Sequence, residues 1–212
     1  MITLKSPRQV AIIIKEGNDI MKTSIGCDNG PTGNIGVIAP SETLYFPMPV
    51  KKELNYTKQK QFLHRVDVEK LFGLMKALKE TNSEGCLCLV ERPMINPQRW
   101  KPSMSAIRCL EATLIVLELL KIPFQYIDSK QWQKELLPKG LKKDELKKAS
   151  LDIGKRLFPQ IDWTKFKDAD GLLIAEWGQR KGWGMEHLKY EGDLEISSYP
   201  RFVEGELEKK NG

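Results

Sequence analysis

The spacing of apolar positions changes several times along the chain, and each change marks an element. Residues 22–27 and 85–90 are short, nearly continuous apolar runs bounded by turn formers, the pattern of buried strands. After the tight turn Gly30-Pro31-Thr32-Gly33, residues 34–39 and 43–47 predict two more strands, which gives a three-stranded meander. The period then becomes helical: Val68, Leu71, Met75 and Leu78 place a stripe on one face of residues 67–79. Residues 103–121 carry Ile107, Leu110, Leu114, Ile115, Leu117 and Leu119 around much of a helix, which predicts either a buried central helix or one that meets a second copy of the chain. Residues 123–127 read as a strand, followed by a short helix through Trp132 capped by Asp128 or Ser129. Pro138 and Gly140 break the chain before a basic amphipathic helix over 142–158, and a last apolar helix spans 168–177. Residues 51–65 have no clear period and are expected to be a long loop. The core is placed at 21–180. An extension at 1–20, with a short helix from Ser6-Pro7, precedes it, and an acidic appendage of low order at 181–212 follows. Strands and helices in this order predict an α/β fold, a mixed sheet flanked by helices.

Composition narrows the function classes. The 212 residues are 41% hydrophobic and 29% charged, an ordinary globular balance. The longest apolar run, from Ala112, is broken by Glu118 and Lys121, well short of the ~18–20 residues that span a bilayer. Lys5, Arg8 and Lys15 bracket the only early apolar stretch, so a signal peptide is not expected and the protein is expected to be cytoplasmic, with no membrane partner. Cys27, Cys86, Cys88 and Cys109 form no C-x-x-C pair, which argues against structural zinc and for buried free thiols. Net charge is +6, and the excess is local: eight basic against four acidic residues over 51–80, and eleven against six over 128–167. Such patches fit a polyanionic partner, nucleic acid foremost.

Little in the chain supports nucleophilic catalysis. His64 and His187 have no triad-like partner, and the glycine-rich turn lacks the Gly-Lys-Ser/Thr of a phosphate loop. What remains is a set of carboxylates at element ends: Asp28, Glu91, Asp168 and Asp170. Three have a plainer alternative, since Asp28 can initiate a turn, Glu91 can pair with Arg92 or a neighbouring lysine, and Asp168 can cap a helix, whereas Asp170, on the edge of an apolar helix, is less easily dismissed. Ends of neighbouring strands lie side by side, however, and carboxylates gathered there repel one another unless a cation such as Mg²⁺ sits among them. Two such ions would serve phosphodiester cleavage.

Five fragments in order then carry a resemblance. They are Ile25-Gly-Cys-Asp-Asn-Gly, Leu89-Val-Glu-Arg-Pro, Ser129-Lys-Gln-Trp-Gln-Lys, the stretch from Leu141-Lys-Lys-Asp to Lys155-Arg-Leu-Phe-Pro, and Asp168-Ala-Asp-Gly-Leu-Leu-Ile-Ala-Glu-Trp. Over residues 22–179 the chain resembles the RuvC-like Holliday-junction resolvases of the ribonuclease H-like superfamily. The resemblance implies a ribonuclease H-like mixed sheet and a homodimeric endodeoxyribonuclease that nicks four-way DNA junctions symmetrically, in a bacterial or phage-infected cell. It implies two Mg²⁺ or Mn²⁺ ions per site, with Asp28 bridging them, Glu91 binding one, and Asp170 completing the site beside Asp168. Lys134 and Lys143 match basic positions near the scissile phosphate, Lys134 in a catalytic role; Lys130 and Lys142 extend that surface, and Arg99 and Trp100 either lie against the junction or form a packed loop. The chain departs at one point: many members carry acids three apart on the last helix, where this chain has Lys167 and Asp170. The alternatives are a related nuclease acting on RNA–DNA hybrids, flaps or duplex, and a catalytically silent DNA-binding protein.

Overall fold

The computed structural model describes residues 23–54, 61–82 and 85–181; the expected N-terminal helix and acidic tail lie outside the described residues. The first three strands, β1 (Thr23–Cys27), β2 (Asn34–Ile38) and β3 (Thr43–Pro47), form the expected meander. After the hairpin β4 (Val50–Leu54) and β5 (Phe62–Val66) come α1 (Val68–Thr81), β6 (Cys86–Glu91), α2 (Trp100–Leu119), β7 (Phe124–Ile127), α3 (Ser129–Leu136), α4 (Lys143–Leu157) and α5 (Asp170–Arg180). The main sheet has the order β3-β2-β1-β6-β7, with β6 parallel to both β1 and β7. No helix among the described residues is long and apolar enough to cross a membrane.

Strand alternation divides the core in two. Ile25, Cys27, Ile35, Val37, Cys86, Cys88 and Val90 face one side and pack with Leu71 and Met75 of α1 and Val116 and Leu117 of α2. Leu87, Leu89, Ile38 and Tyr45 face the other, against Trp132 of α3, Phe158, and Leu172 to Ala175 of α5. All four cysteines are buried and free, as expected of small apolar fillers. The same parity sends Asp28, Asn34 and Glu91, at strand ends, to the α5 side.

Contact between α5 and the sheet depends on glycine. Gly26 and Gly36 face each other across β1 and β2, and a Cβ on Gly26 would lie 2.2 Å from the Gly171 oxygen and 2.4 Å from the Ala175 nitrogen. A Cβ on Gly36 would lie 2.4 Å from the Leu172 nitrogen. Because backbone meets backbone, Ser24 Oγ can donate to the Ala175 carbonyl at 2.8 Å. Gly26→Ala is expected to push the helix outward and to cost about 1–3 kcal/mol, read as a lower urea midpoint at unchanged slope.

Three expectations are corrected. Residues 51–65 are not one long loop, because Val50–Leu54 and Phe62–Val66 pair as a two-stranded sheet. Their period of two was hidden because charged rather than apolar residues fill the alternating places. The long helix begins at Trp100, three residues early, and Trp100 is 65% exposed at its start. The last helix begins at Asp170 with Ala169 as its N-cap, so Asp168 is not a capping residue.

Candidate metal centre at the sheet edge

Asp28 follows the last residue of β1, and its N–H donates to the Asn34 carbonyl at 3.0 Å. The turn folds directly over it: a Cβ on Gly33 would sit 2.0 Å from the Asp28 carbonyl oxygen and 3.1 Å from its Oδ2. Glu91 ends β6, the parallel neighbour of β1, so its carboxylate stands beside Asp28 on the same edge. Asp170 is the first residue of α5, where the amino end of the helix favours a carboxylate. Since α5 rests on the glycines of β1 and β2, that first turn is brought down onto the same edge. Asp28, Asp168 and Asp170 each place one carboxylate oxygen within 4.8 Å of the others. Glu91 is outside that tight group but close enough for its charge to act on Asp28.

Asp168 has a different character from its neighbours. It is nearly fully buried, its Oδ1 accepts from Asn34 Nδ2 at 3.0 Å, and its Oδ2 accepts from Lys147 Nζ at 2.9 Å. Tyr45 donates its hydroxyl to the Asp168 carbonyl at 3.1 Å. Engagement by these donors, in place of capping, is why a residue two before Asp170 reaches the cluster: it lies ahead of the helix rather than on another of its faces. Ser150 of α4 accepts from the Ala169 N–H at 3.1 Å and donates a short hydrogen bond to Asp170.

The cluster is electrostatically loaded. Burial and the charges of Asp170, Glu91 and Asp168 raise the Asp28 carboxyl well above its ordinary range, with Lys147 opposing. Burial and Asp170 push Glu91 up to about 7, against the pull of Trp132 and Ser129. Burial and Asp168 push Asp170 up to about 6, with Ser150 and Lys147 opposing. Burial lowers the Lys147 ammonium, but its hydrogen bond to Asp168 and the charges of Asp168, Asp170 and Asp28 outweigh this and leave it raised. Two buried donors beside the cluster are unsatisfied. Trp132 Nε1 faces Glu91 without closing a well-formed hydrogen bond, and Asn29 Nδ2 has no acceptor although Asn29 Oδ1 accepts from Thr113 at 3.2 Å. An all-oxygen set whose carboxylates resist ionising together is the chemistry that a hard divalent cation satisfies. The residues therefore fit Mg²⁺ or Mn²⁺.

The predicted basic residues lie in the segments that follow β6 and β7. Lys130 and Lys134 are exposed one turn apart on α3, Lys142 is exposed just before α4, and Lys143 is the first residue of α4. Arg99 and Trp100 are exposed at the start of α2. Among the described residues no ion pair joins Arg99, Lys130, Lys134 or Lys142 to the four carboxylates; Lys147 takes that place. Sequence reading missed Lys147, Asn34 and Ser150. One signal was available: Lys147 and Ser150 are three apart on α4 and so share a face. Arg92, the alternative partner of Glu91, pairs with Asp128 at 3.2 Å instead. Lys147→Met is expected to destabilise the metal-free protein by about 1 kcal/mol at neutral pH and by less when Mn²⁺ is present, measured by urea unfolding.

An antiparallel meander joined to two parallel strands, with an acid-bearing helix laid across it, defines a ribonuclease H-like fold with an acidic edge. No protein-family model matches the sequence, and no curated protein matches it. Among solved structures, the chain is similar to Thermus thermophilus RuvC in complex with a Holliday junction substrate. That match has 16% identity and a TM-score of 0.46, covering 76% of this chain and 96% of that one. It is also similar to a yeast mitochondrial Holliday junction resolvase, at 13% identity and a TM-score of 0.41, covering 88% and 89%.

Proposed function

We propose that the protein is a divalent-metal-dependent endonuclease that resolves four-way DNA junctions. The observation that carries this reading is the convergence of Asp28, Glu91, Asp168 and Asp170 on one sheet edge, three of them held with raised carboxyl pKa values. Asp28, Glu91 and Asp170 would hold the metal, with Asp28 central. Asp168, engaged by Asn34 and Lys147, serves chiefly to fix Lys147 beside them. Bound Mg²⁺ or Mn²⁺ supplies water activation and charge neutralisation at phosphorus. Ser150 holds the Asp170 carboxyl, while Ser129 favours the charged form of Glu91. Lys147 adds positive charge where a phosphate oxygen becomes more negative. Lys130, Lys134, Lys142 and Lys143, with Arg99, offer contacts that orient the DNA backbone.

The five sequence fragments favour a junction over other nucleic acids. A homodimer suits a four-way junction, and the exposed Ile115 and Leu119 on α2 offer an apolar face for it, which sedimentation at micromolar concentration reads directly. The substrate is tested by cleavage of a junction labelled on each strand in turn, beside linear duplex, single strand and an RNA–DNA hybrid. Paired nicks on opposing strands, confined to the junction, are expected. Cleavage of the hybrid or duplex in preference would move the substrate, and cleavage of none, with binding intact, would leave a silent DNA-binding protein.

A further inference from the structure

One face of α4 governs the charge balance of the carboxylate edge. Lys147, Ser150 and Gly154 follow one another on the side of α4 that meets the residues leading into α5. A Cβ on Gly154 would lie 2.3 Å from the Ala169 Cβ, so α4 approaches there as closely as only glycine allows. One turn back, the Ser150 Oγ accepts from the Ala169 N–H at 3.1 Å and donates to Asp170 Oδ1. One turn further back, Lys147 Nζ donates to Asp168 Oδ2 at 2.9 Å. Helix packing therefore places this ammonium. Its side chain is 57% exposed, while the carboxylate that it meets is 3% exposed.

What the ammonium meets is a cation position. Asp28, Asp168 and Asp170 each offer an oxygen within 4.8 Å of the others, close enough for one ion to touch all three. The charges of Asp168, Asp170 and Asp28 hold the ammonium there against its own desolvation. Both Asp168 oxygens are engaged, Oδ1 by Asn34 and Oδ2 by Lys147, so a metal ion reaches Asp168 only by displacing one of them. Glu91 marks a different position. Its charge acts on Asp28, that of Asp170 acts on it, and Arg92 beside it is turned to Asp128 at 3.2 Å. A divalent ion at Glu91 and an ammonium at Asp168 divide the four acids between them. A second divalent ion would have to enter against the positive charge already in place.

We propose that Lys147 stands in the place of a second divalent ion: free of DNA, the protein binds one Mg²⁺ or Mn²⁺ at Asp28, Glu91 and Asp170, and the Lys147 ammonium excludes another from Asp168. The inference rests on the metal-binding reading of the carboxylate edge. It adds how many ions that edge accepts and which residue sets the number, and it departs from the two ions that the family resemblance implies.

The test counts bound Mn²⁺ on the full chain without DNA, by electron paramagnetic resonance at neutral pH, with Asp28→Asn as the reference for ions held elsewhere on the chain. Wild type is expected to hold one Mn²⁺ above that reference. Lys147→Met and Lys147→Gln are both expected to hold two. Their spectra are expected to show the broadening of a coupled pair, because two ions that share carboxylates lie about 3.5–4 Å apart. Lys147→Arg keeps the charge and is expected to hold one. Lys147→Met combined with Asp168→Asn is expected to return to one, which assigns the added ion to Asp168. Two ions in wild type would overturn the proposal, as would one or fewer in both Lys147→Met and Lys147→Gln, or an added ion that survives Asp168→Asn. A wild-type chain that holds no Mn²⁺ above Asp28→Asn would instead overturn the reading of the carboxylate edge on which the inference rests.

Discussion

Asp28→Asn is expected to reduce metal-dependent cleavage by about 10³-fold or more and, in the same protein, to raise the melting temperature without metal. Asparagine keeps the size and one oxygen of the side chain but removes the charge at the centre of the cluster. That charge is opposed by its surroundings: burial, Asp170, Glu91 and Asp168 all disfavour it. A residue retained for packing would lose stability when changed, whereas a metal ligand burdened by its neighbours gains stability and loses chemistry. Cleavage rates in Mg²⁺ and Mn²⁺ beside thermal unfolding in chelator check both halves. Loss of cleavage with a lower melting temperature would point to a structural acid.

A second large effect is expected in the pH dependence of stability. Glu91 and Asp170 have folded pKa values raised to about 7 and about 6, above their unfolded values, so the folded state binds protons more tightly than the unfolded one. Their contribution is fully present below the unfolded values near pH 4 and is lost as pH rises through 6 and 7. At about 1.4 kcal/mol for each pH unit over which the folded group holds the extra proton, the metal-free protein is expected to lose a few kcal/mol between pH 4.5 and 7.5. Mn²⁺ is expected to restore most of that loss at pH 7.5 by replacing the protons, and Asp28→Asn to flatten both the slope and the restoration. Urea unfolding at several pH values, with and without Mn²⁺, measures it. A metal-free stability that rises across this window would contradict the repulsion argument.

The strands and helices were legible where burial imposes a single period. The continuous runs that became β1 and β6 are buried on both faces, and Leu71, Met75 and Leu78 of the stripe on α1 are buried in the core while Val68 at its start is exposed, so pattern and packing agree over most of it. The hairpin was not legible because its alternation runs between charged and exposed apolar residues, with burial only at Val66 and partial burial at Val50 and Leu63. Asp28 and Glu91 announced themselves by ending apolar strands. The role of Asp168 did not, because its place is set by Asn34, Lys147 and Tyr45, each 21 or more residues away in sequence. Gly26, Gly36 and Gly171 were visible as residues, but their purpose, letting α5 lie against the backbone of β1 and β2, exists only once the sheet is formed.

The most direct measurement is anomalous diffraction from a crystal of the protein soaked in Mn²⁺. The account predicts Mn²⁺ density among Asp28, Glu91 and Asp170, with Trp132 closing on Glu91. Absence of Mn²⁺ from that edge, at a concentration that supports cleavage and with Lys147 still on Asp168, would contradict the account.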